Sequence, residues 1–118
     1  MLKLPKMYRV TQEFARPRIN DSVTDTAAAL NAIAANDKIK AGQKIGITVG
    51  SRGIQNLTPI LKTAVDYVKQ CGATPFLLAA MGSHGNGTAA GQKEVLDSLD
   101  ITEEVLGAEV ITCDECEV

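Results

Sequence analysis

The sequence predicts an α/β protein in three layers, with a mostly parallel sheet and βαβ crossovers. Three observations carry this reading. Short apolar runs rich in β-branched residues recur at 44–49 (KIGITV), 74–80 (TPFLLAA) and 109–113 (EVITC). Segments with helical periodicity lie between them, at 56–71 and 89–99. No internal repeat, long linker or low-complexity stretch interrupts the alternation, so residues 1–118 read as one domain. Strands alternating with helices build βαβ units. Nearly continuous apolar strands belong to parallel sheets covered on both faces.

Taken in order, residues 7–14 (MYRVTQEF) alternate apolar with polar and predict a strand, which Arg16-Pro17-Arg18 interrupts. Ser22 opens a helix, because Ser22 with Asp25 resembles a capping box with the shorter acid. The Ala-rich run Thr26 to Ala35 continues it with high helix propensity, Leu30, Ile33 and Ala34 share a face, and Asn36-Asp37 ends it. In the second helix Ile60, Leu61, Ala64, Val65 and Val68 share one face, Pro59 falls in the first turn, and Gly72 stops the helix. The third places Val95, Leu96 and Leu99 inward, and a short helical piece follows around Thr102 to Leu106.

Composition excludes several function classes. The net charge is −2, from twelve basic and fourteen acidic residues, which gives no electrostatic case for nucleic acid or an anionic membrane. Two Tyr, two Phe and no Trp leave little for base stacking. No apolar run reaches the roughly 20 residues that cross a bilayer. MLKLPKMYRV lacks the uninterrupted apolar core of a signal peptide. Three cysteines, an odd number, argue against a secreted disulfide framework, and the cytoplasm is the expected location.

Two glycine loops fall after strands, where ligands bind in open α/β sheets. GSRG, residues 50–53, follows the 44–49 strand, and MGSHGNG, residues 81–87, follows the 74–80 strand. If these strands are neighbours, Arg52 and the chain's one histidine, His84, face one crevice. The second loop is no nucleotide fingerprint: Gly85-x-Gly87-x-x-x-Gly91 is one residue too long for GxGxxG, and no Walker lysine follows. Gly85 to Thr88 do lie at a helix N-terminus, where backbone N–H groups suit phosphate or carboxylate. A plain βα turn is the competing reading. His84 is either a surface-loop residue or a base facing a ligand. An arginine fork holds a carboxylate bidentately and an imidazole exchanges a proton near neutral pH. Together they suggest chemistry on a small carboxylate that carries an ionisable hydroxyl. Cys113-Asp-Glu-Cys116 lacks the further ligands of a zinc site, and Cys71 reads as a small core residue.

From GSRG through MGSHG and its GQ-containing helix, the chain resembles the N-terminal region of the nickel-dependent lactate racemase family, over roughly residues 8–118. It is most similar to the branch whose glycine loop reads GSHG. The resemblance implies a two-domain α/β enzyme with its active site between the domains, using a nickel pincer nucleotide. It implies hydride transfer from the substrate α-carbon while a histidine removes the hydroxyl proton, giving racemisation of a 2-hydroxy acid. His84 matches one of the family's two catalytic histidines. Arg52, with Ser51 beside it, matches the substrate-binding loop, and Gly82, Ser83 and Gly85 fall where the cofactor would approach. Val49 stands where lactate racemases carry an aspartate, and Gly85 where a basic residue follows the histidine, so the hydroxy acid itself is left open.

The family's cofactor lysine, nickel ligand and second base lie further along its chains. The 118 residues are therefore expected to be an inactive N-terminal part that holds no cofactor by itself, with the C-terminal part of its own chain as partner. Two other readings stand beside this one. The first is a small-molecule or nucleotide-binding module without catalysis. The second is a structural domain whose last strand completes a partner's sheet.

Overall fold

The computed structural model describes residues 6–15, 17–51 and 53–113. Helices α1 (Ser22–Ala32) and α2 (Ala35–Lys38) come first. They are followed by β1 (Lys44–Val49), α3 (Leu57–Gln70), β2 (Thr74–Ala79), α4 (Ala89–Asp97), α5 (Glu103–Leu106) and β3 (Glu109–Ile111). The sheet has the order β1-β2-β3, and both pairings are parallel. The fold is thus mixed α/β, with the three strands and their intervening helices at the places the sequence marks.

The register explains how Pro75 is accommodated inside the central strand. Thr74 N–H donates to the Gln43 carbonyl and Ala80 N–H to that of Val49, both at 2.8 Å. Even-numbered residues of β2 therefore donate towards β1, and the donor that Pro75 lacks would point the other way. On that side pairing with β3 begins only at Phe76, opposite Glu109. The missing N–H falls outside the ladder, where proline is tolerated.

One face of the sheet is the core face. Val49 of β1 and Leu77 of β2 pack with Leu61 and Val65 of α3, Leu96 of α4, Ile101, and Leu106 of α5, all at most 5 % exposed. Helices α3, α4 and α5 therefore lie on the same side. Both crossovers then have the same hand, because the strands are added in one direction. Lys44, Gly46, Thr48, Thr74 and Glu109, on the opposite face, are exposed. The described residues accordingly form two layers, and β1 is half-buried with an alternating pattern where a continuous apolar run suggested burial on both faces. On the open face the Phe76 ring lies across Gly46: a β-carbon built there would sit 2.9 Å from the ring tip.

Two side chains fix the helices to one another. Thr58, in the first turn of α3, donates to the Leu99 carbonyl at 2.9 Å. Lys69, in the last turn of α3, donates to the Gly107 carbonyl beyond α5, a favourable place for a cation at a helix C-terminus. Helix α3 ends as its sequence predicts. Gly72 is left-handed at φ 77°, its N–H bonds to Lys69, and Ala73 N–H bonds to Val68, which is a Schellman closure. Cys71 caps that helix and is half-buried rather than a core residue. Cys113 is exposed, and Cys116 lies outside the described residues.

Three expectations near the N-terminus are corrected. Residues 7–14 form no strand, and Met7, Tyr8, Val10 and Phe14 are exposed. Alternation assigns two faces to a segment, but only a neighbouring strand supplies a hydrogen-bonded ladder, and no described strand pairs with this one. The cap of α1 is Asp21 instead of Ser22: its Oδ1 accepts from Val23 N–H at 3.0 Å and Thr24 N–H at 3.2 Å. A carboxylate accepts more readily than a hydroxyl, and this shifts the start by one residue. The helix also ends early. Ala34 turns left-handed at φ 50°, so Ile33, 60 % exposed, and Ala34 lie beyond α1 rather than continuing the face of Leu30. Asn36-Asp37 then sits inside the short helix α2.

No helix among the described residues is long and apolar enough to cross a membrane.

Candidate functional site

Val49 and Ala79 are register partners at the carboxyl ends of β1 and β2, so the chain leaves both strands at one edge. The two glycine loops begin there side by side. Met81, 8 % exposed, anchors the second loop in the core. His84 N–H donates back to the Met81 carbonyl at 3.2 Å. Gly85 (φ 65°), Asn86 (φ 57°) and Gly87 (φ 67°) then turn through the left-handed region and lead to Thr88. Thr88 caps α4: its Oγ1 accepts from Gly91 N–H at 3.1 Å.

The loops bring Ser51 and His84 together. Ser51 Oγ is hydrogen-bonded to Nδ1 of the imidazole across 33 residues of sequence. Both side chains are half-buried. They line an open cleft of 260 Å³ with Gly85 and Val95. That volume is just below the roughly 300–1,000 Å³ of common ligand pockets, and the cleft is open to solvent. The site residues read from the sequence divide accordingly. Ser51, His84 and Gly85 meet at the cleft, whereas Ser83 is exposed and a β-carbon on Gly82 would meet nothing within 4 Å. Arg52 lies outside the described residues.

Gly85 has a structural task as well. A β-carbon built on it would fall 2.2 Å from the Gly91 carbonyl carbon and 2.4 Å from the Gln92 nitrogen. The glycines at 85 and 91, whose spacing fails as a nucleotide fingerprint, instead let the turn rest directly on the first turn of α4. The capping bond of Thr88 also occupies the Gly91 N–H, one of the donors an anion at this helix end would use.

Val95 is a cleft residue that the sequence marks only as core. It is half-buried and packs on the core cluster while lining the site, because a helical position midway between faces serves both. A larger cleft of 750 Å³ lies between residues 17–22 and 54–60 and includes Arg18, Asn20 and Asn56. The sequence pattern did not mark it.

Among the described residues no three His, Cys, Asp or Glu gather as a metal site would require. No family model, curated protein or solved structure matches the chain.

Proposed function

We propose that this chain is the N-terminal module of a 2-hydroxyacid racemase or epimerase of the lactate racemase type, acting in the cytoplasm. The carrying observation is the Ser51–His84 pair, set in a small cleft at the carboxyl ends of two adjacent parallel strands. In this reading His84 is a general base that takes the substrate's hydroxyl proton, and Arg52 holds the carboxylate. In this reading Gly82, Ser83 and Gly85 would lie where a cofactor approaches.

The described residues do not by themselves fit the family's nickel pincer nucleotide. Among them no three His, Cys, Asp or Glu gather as donors for its metal. The steps given to this chain therefore run through its own residues, and the binding groups for the nucleotide are assigned to the C-terminal part of a longer chain. A third layer over the Phe76, Leu78 and Ile111 face would come from the same part, which would complete the three-layer arrangement.

A non-catalytic small-molecule or nucleotide-binding module is the second reading. The occupied Gly91 N–H weighs against its nucleotide form, because that donor is one a phosphate at this helix end would use. The deciding experiment follows racemisation of single-enantiomer 2-hydroxy acids by chiral chromatography, using the full-length protein that carries this module. Conversion by that protein and its loss in His84→Ala support the enzyme. Binding of the acids without any conversion supports the module.

A further inference from the structure

β1 is an edge strand, and the chain also carries a segment of strand-like pattern that pairs with nothing described. The odd-numbered residues of β1 bond to β2, so the N–H and C=O groups of Lys44, Gly46 and Thr48 point away from the sheet. No described strand meets them. Such an edge is a template for a further strand. Residues 7–14 match it in kind: Tyr8, Val10 and Phe14 alternate with Arg9, Thr11 and Glu13. Met7, Tyr8, Val10 and Phe14 are all at least 68 % exposed.

Burial and charge fix how this segment can lie along β1. Ile47 and Val49 face the core, so Tyr8, Val10 and Phe14 belong on that face. Arg9, Thr11 and Glu13 then share the exposed face of Lys44, Gly46 and Thr48. Antiparallel, with Thr11 opposite Gly46, the segment sets Glu13 opposite Lys44, Val10 opposite Ile47 and Tyr8 opposite Val49. Parallel about the same centre, it sets Arg9 opposite Lys44, and like charges directly opposite destabilise. The charges select the antiparallel direction.

A chain cannot supply that strand to itself. In this register Phe14 lies beside Gln43, at the end of the sheet where β1 begins. Pro17 lies at the other end, lining a cleft with Ile54 and Ile60 where α3 starts. Three peptide steps from Phe14 to Pro17 reach at most about 11 Å. The five steps from Lys44 to Val49 span about 16 Å. We propose that residues 7–14 of one copy add to β1 of a second copy as an antiparallel strand, reciprocally, giving a two-fold dimer. The pairing satisfies the outward backbone groups of Lys44, Gly46 and Thr48 and covers Tyr8, Val10 and Phe14.

Sedimentation velocity of the tag-free 118-residue chain over a concentration series tests this, independently of the racemase reading. The native chain is expected to be a dimer that dissociates on dilution. Thr11→Pro removes an N–H aimed at β1 and should leave a monomer. Gln12→Pro removes one aimed away and should keep the dimer. Glu13→Lys should raise the dimer Kd by about tenfold, since the dimer contains two such pairs, and adding Lys44→Glu should restore it. A native chain that stays monomeric up to its solubility limit overturns the proposal. So does a dimer that survives Thr11→Pro, one lost equally in both proline variants, or one that the reversed charge pair fails to restore. All four positions are exposed, so circular dichroism separates loss of the dimer from loss of the fold.

Discussion

Gly85 and Gly91 touch backbone to backbone: a β-carbon on Gly91 would lie 2.0 Å from the Gly85 carbonyl oxygen. The contact seats the His84 turn on α4. It also reverses an ordinary expectation, since Gly→Ala inside a helix usually stabilises by about 1 kcal/mol. Here the methyl meets rigid backbone. Gly91→Ala is expected to destabilise by about 1–3 kcal/mol, the range for overpacking. Gly85→Ala adds to such a clash the left-handed penalty of roughly 1–2 kcal/mol. Gly82→Ala, left-handed at φ 59° but facing open space, should show the conformational penalty alone. Urea unfolding of the three variants checks the ranking, and a Gly91→Ala variant more stable than the native chain would refute the contact.

Gln92, the next residue, is 7 % exposed, and its Oε1 is buried without a hydrogen-bond partner among the described residues. An unsatisfied buried acceptor costs about 1–3 kcal/mol. Gln92→Met keeps the length of the side chain and removes the acceptor, so it should raise stability by about 1 kcal/mol. Thermal unfolding followed by circular dichroism measures it. A lower midpoint in Gln92→Met would mean that the amide is satisfied in solution.

The strands and the site were legible to different depths. β1 and β2 are short and punctuated by glycine, and Gly72 closes α3 as a glycine at that place should, so local pattern sufficed. The shared edge of the two loops followed once the strands were neighbours. Residues 7–14 misled because alternation does not state whether a pairing partner exists. The Gly85–Gly91 contact and the bond from Ser51 to His84 join residues by tertiary approach, which no window of sequence contains.

Asp21 gives a prediction in pH. Hydrogen bonds from the Thr24 side chain, then from the Thr24 backbone, hold its carboxyl below the usual carboxylate value. A lowered folded value means that the cap's contribution is present above the unfolded carboxylate range. It is lost as pH falls through the folded value. Helix α1 should fray first on acidification. Thr24→Val should move the Asp21 midpoint up towards the ordinary value, as read from its side-chain carboxyl carbon by NMR titration. An unmoved midpoint would show that the hydroxyl does not bind the carboxylate in solution.

If the proposed racemase reading holds, His84 and Arg52 separate kinetically in the protein that carries this module. A general base acts as the proton moves, so His84→Ala removes an interaction strongest in the transition state. Turnover should fall by about 10²–10⁴-fold, with little change in KM. A carboxylate clamp is already engaged in the bound substrate, so Arg52→Ala should act mainly by raising KM. On the proposed reading the difference follows from where each residue would act, the base on the proton and the arginine on the substrate. Steady-state racemisation across pH reads both. An Arg52→Ala enzyme with unchanged KM would remove the clamp from the proposal, and a His84→Ala enzyme with full turnover would remove the base.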